Sequence, residues 1–356
     1  MERLKKLVVS AGIEESDYRQ VLPELRKTNR GGLVVFSVVT LVFLAAMMVL
    51  SYFSKELEGN RLLYALSAVV VGVVALLTLG PARDHPGLVL PLVYVYDAVL
   101  LTFGIVLGTV TVPDEVTATY IALILTVPQV FIDRPYRQYA LLFGSVAIFI
   151  FMVVTHKDPV TWNSDIVNSI VFASVSAIAC TYNNKIKVER FCLEETIRYM
   201  AENDQLTGLK NRNSFEETLS KYSASEPDDL YCVYVDVNGL HELNNTEGHD
   251  AGDRMLKYVA ESLQSIFGKS DSYRIGGDEY VALGEGHSEA ELPGMISRLR
   301  QAAADAGYHV AVGMEHQSAG RPEIDGLIKE AEKKMYADKS AYYRQSGMDR
   351  RARTEG

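Results

Sequence analysis

Long apolar runs fill the first half of the chain and stop near Tyr182, beyond which charged residues recur every few positions, as on a surface in water. Six runs come near the roughly 20 helical residues that cross a hydrocarbon layer. They are about Gly31 to Phe53, Leu62 to Gly80, Gly87 to Val110, Val116 to Ile132, Tyr139 to Thr155 and Ile166 to Tyr182, the fourth and fifth being short. The pattern predicts an all-α bundle of six transmembrane helices over residues 31–182, after a segment at 1–30 with no cleavable signal peptide. Residues 183–203 follow as a helical linker in which Ile186, Leu193, Ile197 and Met200 fall 7, 4 and 3 residues apart on one stripe. The stripe fits either pairing with its copy in a second chain or a solitary amphipathic helix lying against the bundle.

From Leu230 the period changes. Leu230 to Val235 reads as a buried strand, Met255 to Phe267 as a helix and Ser272 to Gly284 as a hairpin about Gly276-Gly277. His309 to Met314 reads as a further strand and Asp325 to Tyr343 as a closing helix. The two glycines are expected to supply the positive backbone angles of a tight turn. This order predicts a second domain at 204–345, an α/β structure with a mixed central sheet flanked by helices, and a flexible tail at 346–356.

Charge separates the two parts further. The net charge of -10 belongs mostly to the second domain, where 18 Lys and Arg from Asp204 onward face 27 Asp and Glu. That balance argues against nucleic acid as a partner, because such affinity rests on neutralising phosphates. A nucleotide would have to be held through divalent metal. In the first part, the N-terminal segment has seven Lys and Arg, and alternate loops add Arg83, Arg134, Arg137, Lys185, Lys187 and Arg190. The opposite loops carry Lys55, Arg61 and Lys157. Basic residues stay on the cytoplasmic side, which predicts a multi-pass protein surrounded by membrane lipid with both termini in the cytoplasm.

Asp97 falls near the middle of the third run between Tyr94, Tyr96 and Thr102. An ionisable group at that depth is either a hydrogen-bonded carboxyl tying two helices together or a membrane sensor for a ligand or proton. Pro91 and Pro128 read as helix kinks. Cys180, Cys192 and Cys232 show no disulfide or zinc spacing and read as reduced thiols.

Two acidic sites end strands: Asp236 closes the first, and Asp278-Glu279 occupy the hairpin turn. If those strands are neighbours, the carboxylates converge where Mg²⁺ could take one or two of them together with substrate phosphates. Taken singly, an acid at the end of a strand is usually a solvated turn residue.

The domain resembles the GGDEF family of diguanylate cyclases over nearly all of Asp204 to Tyr343, on four motifs in family order. These are Asp204-Gln-Leu-Thr-Gly-Leu-Lys-Asn211-Arg212, Asp236-Val-Asn-Gly-Leu-His-Glu-Leu-Asn244, Gly248-His249-Asp-Ala-Gly252-Asp253, and Arg274-Ile-Gly276-Gly277-Asp278-Glu279-Tyr280. The resemblance implies a nucleotidyl-cyclase-like fold and a bacterial inner-membrane enzyme that joins two GTP into cyclic di-GMP and two pyrophosphates. It implies two Mg²⁺ (or Mn²⁺) per active site, held by Asp236, Glu279 and the carbonyl of Val237, with Asp278 beside them in the catalytic signature. Asn244 and Asp253 would read guanine, whose Watson–Crick edge offers adjacent donors to a carboxylate. Gly276, Gly277, His241 and Lys339 would border the phosphates. It also implies a homodimer, in which two domains face each other so that each 3'-hydroxyl attacks the other's α-phosphate.

Departures from the family pattern are His241 for lysine, Asn245 for aspartate, Tyr280 for phenylalanine, and Tyr343 for an arginine, one residue before Arg344. Phe267-Gly-Lys-Ser270 stands where many relatives carry a product-binding Arg-x-x-Asp, so no product inhibition is expected there. The alternative to a cyclase is a GGDEF domain that holds GTP and signals by contact with a partner. A transporter with an appended domain fits less well, because the runs show no convincing internal repeat.

Overall fold

The computed structural model describes residues 2–225, 227, 229–318 and 324–345, with the backbone alone for 2–5. The tail expected at 346–356 lies outside the described residues. The chain divides into two compact units, Met1–Glu195 and Thr196–Gly356.

The first unit is helical: α1 (Glu2–Ser10), α2 (Glu15–Leu50), α3 (Lys55–Glu58), α4 (Arg61–Leu79), α5 (Pro81–Asp84), α6 (Val89–Val106), α7 (Ala118–Val130), α8 (Pro135–His156) and α9 (Pro159–Glu202). A π-helical turn, Leu107–Thr111, continues α6. Among the described residues, five helices are long and apolar enough to cross a membrane. Their outward faces expose Val42, Leu62, Leu76, Phe151 and Ile178, the inverse of a water-soluble surface. The expected fourth span is a correction: α7 has only 13 residues, about 20 Å of helix against a hydrocarbon core of about 30 Å.

Side chains from distant helices satisfy the backbone where α7 breaks off. Asn29 donates to the Ile132 carbonyl and accepts from its N–H, Gln138 donates to the Phe131 carbonyl, and Asn184 donates to that of Asp133. The Lys187 ammonium takes the carbonyl of Gln129. Irregular backbone survives inside an apolar bundle only with such partners. The two prolines are not mid-helix kinks. Pro91 lies in the first turn of α6, where no N–H is needed, and α7 stops two residues after Pro128.

Nor is Lys157 an exposed loop charge. It is buried against Asp165 and drops out of the orientation count. Asp97 is buried as expected, with no hydrogen-bond partner for Oδ1, while the hydroxyls of Tyr94 and Tyr96 are engaged by Asp133, Thr40 and the Phe36 carbonyl. None of the three cysteines forms a disulfide. The linker stripe lies on α9, and Ile186, Leu193, Ile197 and Met200 are all exposed.

The second unit runs α10 (Arg212–Ala224), β1 (Asp229–Asn238), α11 (Leu240–Glu247), α12 (His249–Phe267), β2 (Ser272–Arg274), β3 (Glu279–Glu285), α13 (Leu292–Asp305), β4 (His309–Ser318) and α14 (Ile324–Gln345). The sheet order is β2-β3-β1-β4 and every neighbouring pair is antiparallel, which corrects the mixed sheet. The reason is that β3 and β4 both run opposite to the central β1; among the described residues the one parallel contact is an isolated bridge between Lys210 and Tyr273.

Alternation along β1 makes two cores. Tyr231, Val233, Val235 and Val237 join Val259, Leu263 and Leu299 on one face, and Leu230, Cys232 and Tyr234 join Phe215, Leu327 and Met335 on the other. Gly313 is required on β4, because a Cβ there would collide with the backbone of α14 at Ala331 and Met335.

Candidate active site

Strand pairing brings the acids together. Asp236 on β1 stands directly opposite Glu279 on β3, and the Val237 N–H donates to the Asp278 carbonyl at 3.0 Å. Directly opposed residues point to the same face of a sheet. Asp236 shares that face with Cys232 and Tyr234, so its carboxyl points toward α14. There Lys339 Nζ donates to Asp236 Oδ2 at 2.7 Å, while the buried Oδ1 has no partner.

Buried acids crowd together here, with Lys339 as counter-charge. Burial pushes the Asp236 carboxyl up to about 6; Lys339 opposes this, and the charges of Asp278 and Glu279 add to it. Glu279 is also raised, by burial and then by Asp278 and by Glu332 of α14, against Lys339 and Arg212. Burial would lower the Lys339 ammonium, but its hydrogen bond to Asp236 and the charges of Asp236 and Asp278 together outweigh that and raise it. Metal ligands must be deprotonated, and a bound cation would supply what these carboxylates lack. Among the described residues no three His, Cys, Asp or Glu side chains converge as a ready metal cage.

The turn between β2 and β3 differs from expectation. Neither Gly276 nor Gly277 takes a positive φ. A Cβ on Gly276 would stand 2.8 Å from Glu279 Oε2, so that carboxyl would have to shift. A Cβ on Gly277 would meet nothing within 4 Å. Arg274 holds the turn from outside, donating to the Gly277 carbonyl at 2.6 Å and to Asp204 Oδ1 at 2.8 Å. The same Asp204 oxygen accepts from Thr207. Burial raises that carboxyl, and the Thr207 and Arg274 bonds outweigh it, leaving Asp204 below its ordinary range. The first sequence motif therefore acts as a clamp on the fourth.

Beside the acids lies a cavity of about 500 Å³ lined by Val237, Gly239, His241, Asp278, Lys339 and Arg344, among others. Gly239 opens α11 at φ 79°, a left-handed turn that swings the helix away from the end of β1. Asn244 and Asp253 do not line this cavity. Asn244 lies against Gly252, the residue before Asp253, where a Cβ would collide with its Oδ1, and that buried oxygen has no partner. The structure thus groups Asp236, Val237, Asp278, Glu279, His241 and Lys339 at the sheet end, and Asn244 with Gly252-Asp253 at the α11–α12 junction. Sequence reasoning missed Arg344 as a cavity residue and Glu332 and Arg212 as charges acting on Glu279. The only signal for Arg344 was its place beside the displaced arginine position.

Residues 201–345 match the family described as "Diguanylate cyclase, GGDEF domain". An "Uncharacterized signaling protein" of Caulobacter vibrioides is 36% identical over 154 residues, 40% of this chain and 19% of that protein. The "Cyclic di-GMP phosphodiesterase PdeB" of Shewanella oneidensis is 42% identical over 89 residues, 25% of this chain and 10% of that protein. The chain therefore spans a fifth or less of the length of these relatives. Among solved structures, a sensory box/GGDEF family protein from Caulobacter crescentus is 30% identical, covering 40% of this chain and 99% of that one at a TM-score of 0.33. The coiled coil and GGDEF domain of DgcB from the same organism, in complex with c-di-GMP, is 21% identical, covering 47% and 95% at a TM-score of 0.42. With the first motif clamped to the fourth, and the end of the second beside them at the end of an antiparallel sheet, the chain carries a GGDEF domain at residues 201–345.

Proposed function

We propose that this chain is a membrane-bound diguanylate cyclase that condenses two GTP into cyclic di-GMP and two pyrophosphates, under control of its N-terminal helical unit. The observation that carries this reading is the buried Asp236 carboxyl, half satisfied by Lys339 and placed opposite Glu279 beside an open cavity. Asp236, Glu279 and the Val237 carbonyl would hold the metal, two ions per site, whose charge would activate the 3'-hydroxyl and stabilise the leaving pyrophosphate. Lys339 and Arg344 bring cationic charge to the triphosphate, and Asn244 with Asp253 reads guanine. Each domain holds one GTP, so the 3'-oxygen of one attacks the α-phosphorus of the other as the bond to pyrophosphate breaks, and positioning supplies much of the rate.

The enzyme would act as a homodimer in the bacterial inner membrane, with the GGDEF domain on the cytoplasmic side, no nucleic-acid partner, and the exposed α9 stripe as the pairing surface. Asp97, buried with Oδ1 unpartnered, would be the sensing group. A second reading, a GTP-binding module that no longer condenses its ligand, draws on the departures at His241, Asn245 and Tyr343. Product analysis by mass spectrometry after incubation of the full-length protein with GTP, ATP and Mg²⁺ separates the two. Cyclic di-GMP that vanishes in Glu279→Gln supports the cyclase; intact GTP binding without product supports the module.

A further inference from the structure

His241 and Asn245 stand one turn apart on the exposed side of α11, with Asn245 Nδ2 3.1 Å from His241 Nδ1. With the amide nitrogen, which carries only donors, facing Nδ1, the ring nitrogen must accept, and that requires the imidazole proton on Nε2. The opposite amide orientation would set an oxygen against Nδ1 and demand a proton there. His241 lines the cavity with Lys339, Arg344, Asp278 and Glu242. With Nδ1 engaged, Nε2–H is the group His241 has left to offer a ligand there.

We infer that Asn245 is a positioning residue: it holds His241 in the Nε2–H tautomer, so that the imidazole gives the triphosphate a directional hydrogen-bond donor in place of a permanent cation. The two departures from the family pattern on α11 then form one coupled change, in which a cation and an anion one helical turn apart become a neutral donor–acceptor pair. Cationic charge in the cavity comes from Lys339 and Arg344, and His241 contributes direction. The inference rests on the GTP-binding reading above, and goes beyond it by giving Asn245 a role and His241 a tautomer.

The test is binding by full-length protein in detergent with Mg²⁺, using guanosine 5'-(α,β-methylene)triphosphate, which cannot be condensed, beside GMP. His241→Ala and Asn245→Ala are each expected to weaken the triphosphate about three- to tenfold and to leave GMP unchanged. Because both act through one hydrogen bond to the ligand, the double variant should be no weaker than His241→Ala. His241→Gln, whose amide is a donor with no tautomer to set, should restore affinity to within about twofold, and Asn245→Ala should then cost nothing further. Additive losses, an Asn245→Ala variant that binds as wild type, or equal losses for GMP would each overturn the inference. Wild-type protein that binds neither nucleotide would overturn it together with the functional reading. Coupled losses in a protein that makes no cyclic di-GMP would uphold the inference and overturn the cyclase alone.

Discussion

Both units hold a buried Asp paired with a Lys, at nearly the same distance: Lys157 to Asp165 at 2.6 Å in the helical unit and Lys339 to Asp236 at 2.7 Å in the GGDEF domain. The first is complete. Both side chains are 0% exposed, Asp165 Oδ1 accepts from the Thr117 N–H at 2.9 Å, and Lys157 also donates to the Glu115 carbonyl and the Thr117 hydroxyl. The second is incomplete, with Asp236 Oδ1 unpartnered, two further acids near and Lys339 26% exposed in a cavity wall. A buried charge with every lone pair used holds loops together; one left half used is open to a ligand. Atom-level satisfaction, more than burial or distance, tells a structural pair from a site.

The largest effect should come from breaking the complete pair. Lys157→Met leaves Asp165 buried without its cation and is expected to cost about 3–5 kcal/mol, read in thermal melts of the detergent-solubilised protein. Lys339→Met should cost far less, because Asp236 already favours its protonated form up to about pH 6. Equal losses would collapse the comparison. Next in size, Asp236→Asn should cut cyclic di-GMP formation by about 10² or more, as for loss of a preorganised electrostatic group, without lowering the stability of the Mg²⁺-free protein. A catalytic loss matched by unfolding would make Asp236 structural.

The pH dependence sharpens the contrast. The folded Asp236 carboxyl titrates near 6, against an ordinary value near 4, so between these limits the folded state holds more protons than the unfolded one. Its contribution to stability is therefore fully present below about pH 4 and is lost as pH rises through about 6, by roughly 2–3 kcal/mol without metal. Mg²⁺ should reverse the loss, binding more tightly as pH rises through the same window. The measurement is the melting difference between wild type and Asp236→Asn at pH 5 and 7, with and without Mg²⁺. A difference that does not change with pH would mean that Asp236 titrates normally.

Much of the second unit was legible in the sequence because its signals are local. The apolar run at Leu230 to Val235 lies inside β1, Met255 to Phe267 inside α12, and the Gly-Gly-acid turn joins β2 to β3. The paired acids followed from strand ends and motif spacing. What stayed hidden lies in contacts between distant residues. Asp236 meets Lys339 across 103 positions, and Asn29 completes the end of α7 across another 103. Lys157 read as a loop charge because its partner's identity depends on how the loop folds back on Asp165. The antiparallel sheet was hidden for the same reason: no local pattern states the direction in which β4 returns beside β1.

The smallest effect concerns the two glycines of the β2–β3 turn, and it applies the same distinction to space rather than charge. Gly276 is already filled around, its Cβ position only 2.8 Å from Glu279 Oε2, so Gly276→Ala must displace a proposed metal ligand and should lower both activity and Mg²⁺-dependent stabilisation. Gly277 has open space and no positive φ, so Gly277→Ala should fold within about 0.5 kcal/mol of wild type. If its activity falls nonetheless, with KM for GTP raised and the melting temperature unchanged, then what needs Gly277 is the close approach of a phosphate to the backbone. An alanine variant with wild-type KM would remove this loop from the substrate site and leave the triphosphate to the cavity beside Lys339.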